Sequence, residues 1–132
     1  MTAMKTPRNP DAIHPPLSAY SHQIEISGTE RMVVISGQVG MTPDGTIPDD
    51  PFEQLGVVFD NLERNLEAAD MGLEDLVKLT VYLVGEWDTD ARRKAISDRL
   101  GAHRPTTTAL YVAGLASPVM RIEIEAWASQ AS

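Results

Sequence analysis

Gln23–Ile26 alternates polar and apolar residues and Gly28 follows, the pattern of a short strand and a turn. Arg31–Val39 carries the β-branched run Val33, Val34, Ile35 and reads as a mostly buried strand. Gly37 interrupts it, where a bulge or a close backbone approach is expected. Thr42–Asp50, with Pro43, Asp44-Gly45 and Pro48, reads as a loop. A helix then starts with Asp50 as N-cap, Pro51 in the first turn and Glu53 closing a capping-box-like pair. Leu55, Phe59, Leu62, Leu66 and Ala69 recur at helical spacing, and Gly72 is expected to supply a left-handed stop.

Leu76–Val84 returns to period two, with Val77, Leu79, Val81 and Leu83 on one face and Leu76, Lys78, Thr80, Tyr82 and Val84 on the other. Asp88 or Thr89 caps a second helix that runs through Leu100 and stops at Gly101. Thr107–Val112 and Val119–Ala128 read as strands. The last puts Met120, Ile122, Ile124, Ala126 and Ala128 on one face and Arg121, Glu123, Glu125 and Trp127 on the other. The order β-β-α-β-α-β-β predicts an α+β two-layer sandwich, a mixed sheet with two helices on one face. Residues 1–19 are expected to be an irregular, proline-rich arm on one domain spanning 1–132. The uncovered sheet face would carry two carboxylates and Trp127, a mixture that an oligomer would bury.

Composition narrows the function classes. Eleven Lys and Arg against 19 Asp and Glu give a net charge of −8, which disfavours nucleic-acid and anionic-membrane partners. Zero cysteines exclude disulfides, thiolate catalysis and thiolate metal sites. The chain has no apolar run long enough for a transmembrane helix and no secretory h-region, so a cytoplasmic location is expected.

The three histidines, His14, His22 and His103, lack the spacing of a metal site, and phosphate-loop, dinucleotide and serine-elbow motifs are absent. Ser36-Gly37 fits either a strand-end bulge or part of a pocket. Glu123 and Glu125 share one face and fit either a solvated strand or a partly desolvated acid/base site at Glu125. Tyr20-Ser21-His22 fits a packed tyrosine beside a solvent-facing histidine, or a pocket rim. Arg92-Arg93-Lys94 reads as a solvated helical face rather than an anion site.

Four stretches together resemble the Rid family of reactive intermediate/imine deaminases, also called YjgF. They are Ala19-Tyr20-Ser21-His22-Gln23, Val34–Val39, the passage from Asn61-Leu62 to Leu83, and Ile122–Ala126. The resemblance implies a chorismate-mutase-like fold, a homotrimer with small-molecule clefts between subunits, and hydrolysis of enamines or imines without metal or organic cofactor. It further implies a pocket of Tyr20, Ser36, Gly37, Thr107 and Thr108, with Glu125 orienting the attacking water. The family's carboxylate-binding arginine falls at Thr107, within His103-Arg104-Pro105-Thr106-Thr107-Thr108. A threonine offers one neutral donor where the arginine offers two charged ones. Arg104 lies an odd number of residues away and is expected on the opposite face. His14-Pro15-Pro16-Leu17 also departs from the family's glycine-proline lead-in. These departures suggest a divergent branch that acts on an unusual C–N bond or binds a ligand without turnover. A nuclease role is the weakest reading.

Overall fold

In the computed structural model, which describes residues 4–28 and 30–131, six strands and two α-helices form an α+β sandwich. The strands are β1 Met4–Arg8, β2 Gln23–Ser27, β3 Glu30–Val39, β4 Leu76–Leu83, β5 Thr106–Tyr111 and β6 Ile122–Ala131. The helices are α1 Pro51–Glu67 and α2 Thr89–Leu100. The main sheet has the order β3-β6-β4-β5, with β5 parallel to β4 and the other pairs antiparallel. It is a mixed sheet with both helices on one face.

The core lies between that face and α1. Val58, Phe59, Leu62, Leu66, Leu79, Val81, Leu83, Ile122, Ile124 and Ala126 are all fully buried there. Helix α1 begins as its sequence demands: the Asp50 carboxylate accepts the Glu53 N–H at 3.0 Å, behind Pro51. Buried Gln54 ties three segments together. Its Nε2 donates to the carbonyls of Pro48 (2.8 Å) and Val119 (2.9 Å), and its Oε1 accepts the Arg121 N–H at 2.8 Å.

Four expectations are corrected. The arm is not wholly irregular: Met4–Arg8 pairs antiparallel with β2 in a separate two-stranded ribbon, while residues 1–3 lie outside the described residues. Pro7 is tolerated because a two-stranded ribbon leaves outward backbone positions unpaired. Lys5 fastens the ribbon to the sheet through the Ser129 carbonyl and, at 3.7 Å, Asp75.

The stop of α1 is also different. Asp70 takes the left-handed conformation (φ 56°), and Gly72 is extended. The N–H groups of Met71 and Asp70 donate to the carbonyls of Leu66 and Glu67 at 2.9 and 3.0 Å. This is a complete Schellman turn with aspartate in the usual glycine position.

Leu76 faces the core because a bulge between Leu76 and Lys78 shifts the register against β6. Finally, the last strand begins at Ile122 instead of Val119 and continues to Ala131 alongside β3.

Candidate functional site

The predicted site residues fall into two groups. The first lies on the sheet face opposite the helices. Between the pairs Ile35–Ala126 and Gln38–Ile124, Ser36 and Gly37 together stand opposite the single residue Glu125, the expected bulge. Glycine leaves room there for a side chain from the facing strand. A Cβ on Gly37 would lie 2.6 Å from Glu123 Cδ and 2.7 Å from Glu123 Oε2. The bulge thus makes room for one carboxylate and aligns Ser36 with the other.

Glu125 is half-buried, and the Tyr82 hydroxyl donates to its Oε1 at 2.5 Å, leaving Oε2 without a hydrogen bond among the described residues. That bond is the first cause of a Tyr82 phenol pushed above its ordinary value. Burial and the charges of Glu125 and Glu123 push it further in the same direction. Tyr82 therefore remains a donor at neutral pH. Around this pair the face is mixed and open, with exposed apolar side chains beside the polar ones: Val34, directly opposite Trp127, is 62% exposed, and Trp127 is 47% exposed.

The second group lines a cleft of about 530 Å³ around the free edge of β5, enclosed by the arm and α2. Ser21, buried, fixes the arm: its N–H and hydroxyl donate to the carbonyls of Pro105 (3.3 Å) and Arg104 (2.5 Å). Tyr20 stands beside it, its ring edge-on to His22 at 5.5 Å and its hydroxyl accepting the Leu17 N–H at 3.1 Å. Thr107 donates to the Pro105 carbonyl at 3.1 Å, and Thr108 accepts from Lys78 Nζ at 2.8 Å.

Arg104 does not stand in for a missing arginine, since its guanidinium donates to the carbonyls of Gly101 and His103 at 2.6 and 2.9 Å. The cleft contains neither Glu125 nor Ser36. They lie on the open face, where β6 is separated from β5 by β4 and β3 is the opposite edge of the sheet. One chain therefore keeps Tyr20 and Thr107 apart from Ser36, Gly37 and Glu125, while Thr108 lines the cleft from the open face, in the same cross-strand row as Thr80 and Glu125.

Two residues join the groups that the sequence reading did not assign to a site. Tyr82 lies one cross-strand diagonal from Glu125, a placement that needs the β4–β6 register. Arg92 reverses an expectation: it is 7% exposed and lines the cleft instead of lying on a solvated face. Arg92, Ile96 and Leu100 recur every four residues, so Arg92 continues the inward stripe of α2. Lys94 does fit the solvated reading, paired with Asp98 at 2.7 Å.

Residues 10–130 match the sequence profile of the family described as Endoribonuclease L-PSP. The chain belongs to the Rid (YjgF) family. A Rid family protein of Yersinia pestis, described as of unknown function, superposes with a TM-score of 0.83 at 28% identity, covering 94% of this chain and 97% of that one. A protein of Escherichia coli K12, provisionally named reactive intermediate deaminase TdcF, is 29% identical over 93% of this chain and 92% of its own length. A RutC family protein of Aquifex aeolicus is 34% identical over 63% of this chain and 62% of its own. The Rid fold thus accounts for the sheet and the helices. Among the described residues, no helix is long and apolar enough to cross a membrane.

Proposed function

We propose that this Rid protein works as a homotrimer in which the open sheet face of one subunit closes the β5 cleft of the next. In each closed cleft it hydrolyses a small enamine or imine. The observation that carries the reading is the division of the site over one chain. Tyr20 and Thr107 line a cleft with no carboxylate among its described lining residues, and Glu125 waits on an open sheet face that exposes Val34 and Trp127. Exposed Val34, Trp127 and Leu110 support burial of that face against another copy.

In this reading Tyr82 holds Glu125 Oε1, and Oε2 accepts a proton from water as its oxygen adds to the C=N carbon. The nitrogen takes a proton, and the resulting carbinolamine collapses to a carbonyl compound and ammonia. Water supplies the oxygen and no redox partner is needed.

Thr107 sets the branch. Without a guanidinium at that position, a two-point charged anchor worth about 2–4 kcal/mol is lost, or roughly 30- to 1000-fold in affinity. The substrate is therefore not a 2-imino acid held in the family's manner. The same feature supports a second reading, a trimer that binds a small ligand without turnover. RNA is disfavoured as substrate by the net charge of −8.

The test is to generate 2-iminobutyrate with a dehydratase and follow its loss with this protein, with Glu125→Gln, and with Thr107→Arg. Weak acceleration by the wild type, none by Glu125→Gln and a large gain in Thr107→Arg are expected. Equal rates for wild type and Glu125→Gln would remove Glu125 from the mechanism. No acceleration by any of the three leaves the non-catalytic reading.

A further inference from the structure

Hydrolysis of an imine needs an acid as well as a base, because the nitrogen takes a proton while Glu125 takes one from water. The ionisable side chains among the described residues of the cleft are His14, Tyr20 and His22 on the arm, Lys78 on β4, and Arg92 and Arg93 on α2. A guanidinium does not give up its proton, and a phenol or an ammonium ordinarily holds one until about pH 10. Imidazole is the side-chain type that exchanges a proton near neutral pH. The cleft carries its imidazoles on the arm alone.

Of the two, His22 is the one held in place. It follows Ser21, the buried anchor of the arm, and its own N–H donates to Asn9 Oδ1 at 2.8 Å. Its ring is half-buried and edge-on to both His14, at 4.9 Å, and Tyr20, at 5.5 Å. Its Nε2 meets the His14 carbonyl at 2.7 Å, and a carbonyl only accepts, so Nε2 carries a proton. The neutral ring is thereby fixed as the Nε2–H tautomer, and Nδ1 has no hydrogen bond among the described residues. His14, by contrast, is exposed, and its Nδ1 donates to the carbonyl of its own neighbour Pro15 at 2.7 Å. The remaining charges of the cleft are the cations of α2 and β4, and β5 brings none among the described residues. The carboxylate that would balance an imidazolium is Glu125 of the copy that closes the cleft.

We infer that His22 is the proton donor of the site, giving its Nδ1 proton to the imine nitrogen. This deepens the hydrolase reading and rests on it. As the water oxygen bonds to carbon, the C=N pair moves to nitrogen, which takes the Nδ1 proton, and Glu125 takes the proton from water. Solvent resets both groups. The imidazolium then protonates the amine as the C–N bond breaks, and Glu125 takes the hydroxyl proton, leaving a carbonyl compound and ammonia. The His14 carbonyl holds Nε2–H in the charged and the neutral ring alike, so the ring need not turn between steps.

The test is a pH profile of 2-iminobutyrate loss, with the uncatalysed rate subtracted, in the wild type and in the Thr107→Arg background. Because the acid must be protonated, kcat is expected to fall as pH rises through the imidazole range, about pH 5–8. His22→Gln is expected to lose about 100-fold in kcat, and the alkaline fall with it. His22→Ala should recover part of the rate in added imidazole, which a merely structural side chain would not allow. His14→Gln keeps the carbonyl that holds the ring and should keep the fall. Nitrogen NMR of the wild type needs no variant to fold, and should show His22 as the Nε2–H tautomer once neutral. An unchanged profile in His22→Gln, loss of the fall in His14→Gln alone, or an Nδ1–H ring at His22 would overturn the assignment. The hydrolase reading survives each of these if the wild type turns over and Glu125→Gln does not. No turnover in either background would overturn both.

Discussion

Replacing Gly37 by alanine tests the bulge that aligns Ser36 with Glu125. The added Cβ would sit 2.6 Å from Glu123 Cδ, 2.7 Å from its Oε2 and 2.9 Å from its Cγ. An ordinary carbon–carbon contact is about 3.5–4.0 Å, so the carboxylate must retreat by about 1 Å. The conflict includes Cγ, near the root of the side chain, so rotating the tip alone does not relieve it. Glu123, half-buried at an exposed glycine, must leave its rotamer, which costs about 0.5–1.5 kcal/mol. With an unfolding entropy of about 2.1 cal/mol/K per residue over 132 residues, that is a fall of about 2–5 °C in Tm. Thermal denaturation followed by circular dichroism at fixed protein concentration measures it. The double variant Gly37→Ala/Glu123→Ala should recover most of the loss, because the two positions share one space. A Tm within 1 °C of wild type, or a double variant whose losses simply add, would refute the steric argument.

Three other perturbations have defined outcomes. Tyr82→Phe removes the donor to Glu125, so kcat should fall with KM little changed, as steady-state kinetics on whichever imine is turned over will show. Because the Tyr82 phenol is raised above its ordinary value, its contribution to stability is fully present below about pH 10 and is lost as pH rises through the folded-state value. Melting curves across the alkaline range should show that loss in wild type and less of it in Tyr82→Phe. Gln54→Leu removes three hydrogen bonds of a fully buried side chain, each worth about 0.5–1.5 kcal/mol, and the denaturant midpoint should drop accordingly. Asp70→Gly relieves a left-handed aspartate and should gain about 0.5–1 kcal/mol, raising Tm by about 2–4 °C.

Much of the fold was legible because its signals are local. Asp50-Pro51 and Asp88 start both helices as their cap chemistry requires, and the alternation in Ile122–Ala128 separates core from open face in the observed strand. Gly37 announced its bulge. What escaped depends on partners distant in sequence. Met4–Arg8 carries Pro7 and becomes a strand only because β2 and Lys5's contacts receive it. Asp70 precedes an obvious glycine, yet the Schellman bonds choose the aspartate.

In the site, Tyr20, Thr107 and Thr108 do share a cleft, and Ser36, Gly37 and Glu125 do share a bulge. That Tyr20 and Thr107 stand apart from Glu125 could not be read from spacing, because it follows from the strand order β3-β6-β4-β5 and its register. Arg92 was hidden by its neighbours: in an Arg-Arg-Lys run, only the four-residue interval to Ile96 marks the first arginine as inward.

The claim that these two groups meet across subunits has a direct test in a chain with no cysteine of its own. Ser36→Cys and Thr108→Cys place thiols on β3 and β5, the two edges of the sheet, about 14 Å apart within one chain at the usual strand spacing. A disulfide cannot span that distance. Mild oxidation of the double variant at micromolar concentration, read on a non-reducing gel, should therefore give linked dimers and trimers, while each single variant stays monomeric. Monomer alone from the double variant, with both thiols still free, would contradict a site completed between copies of this chain.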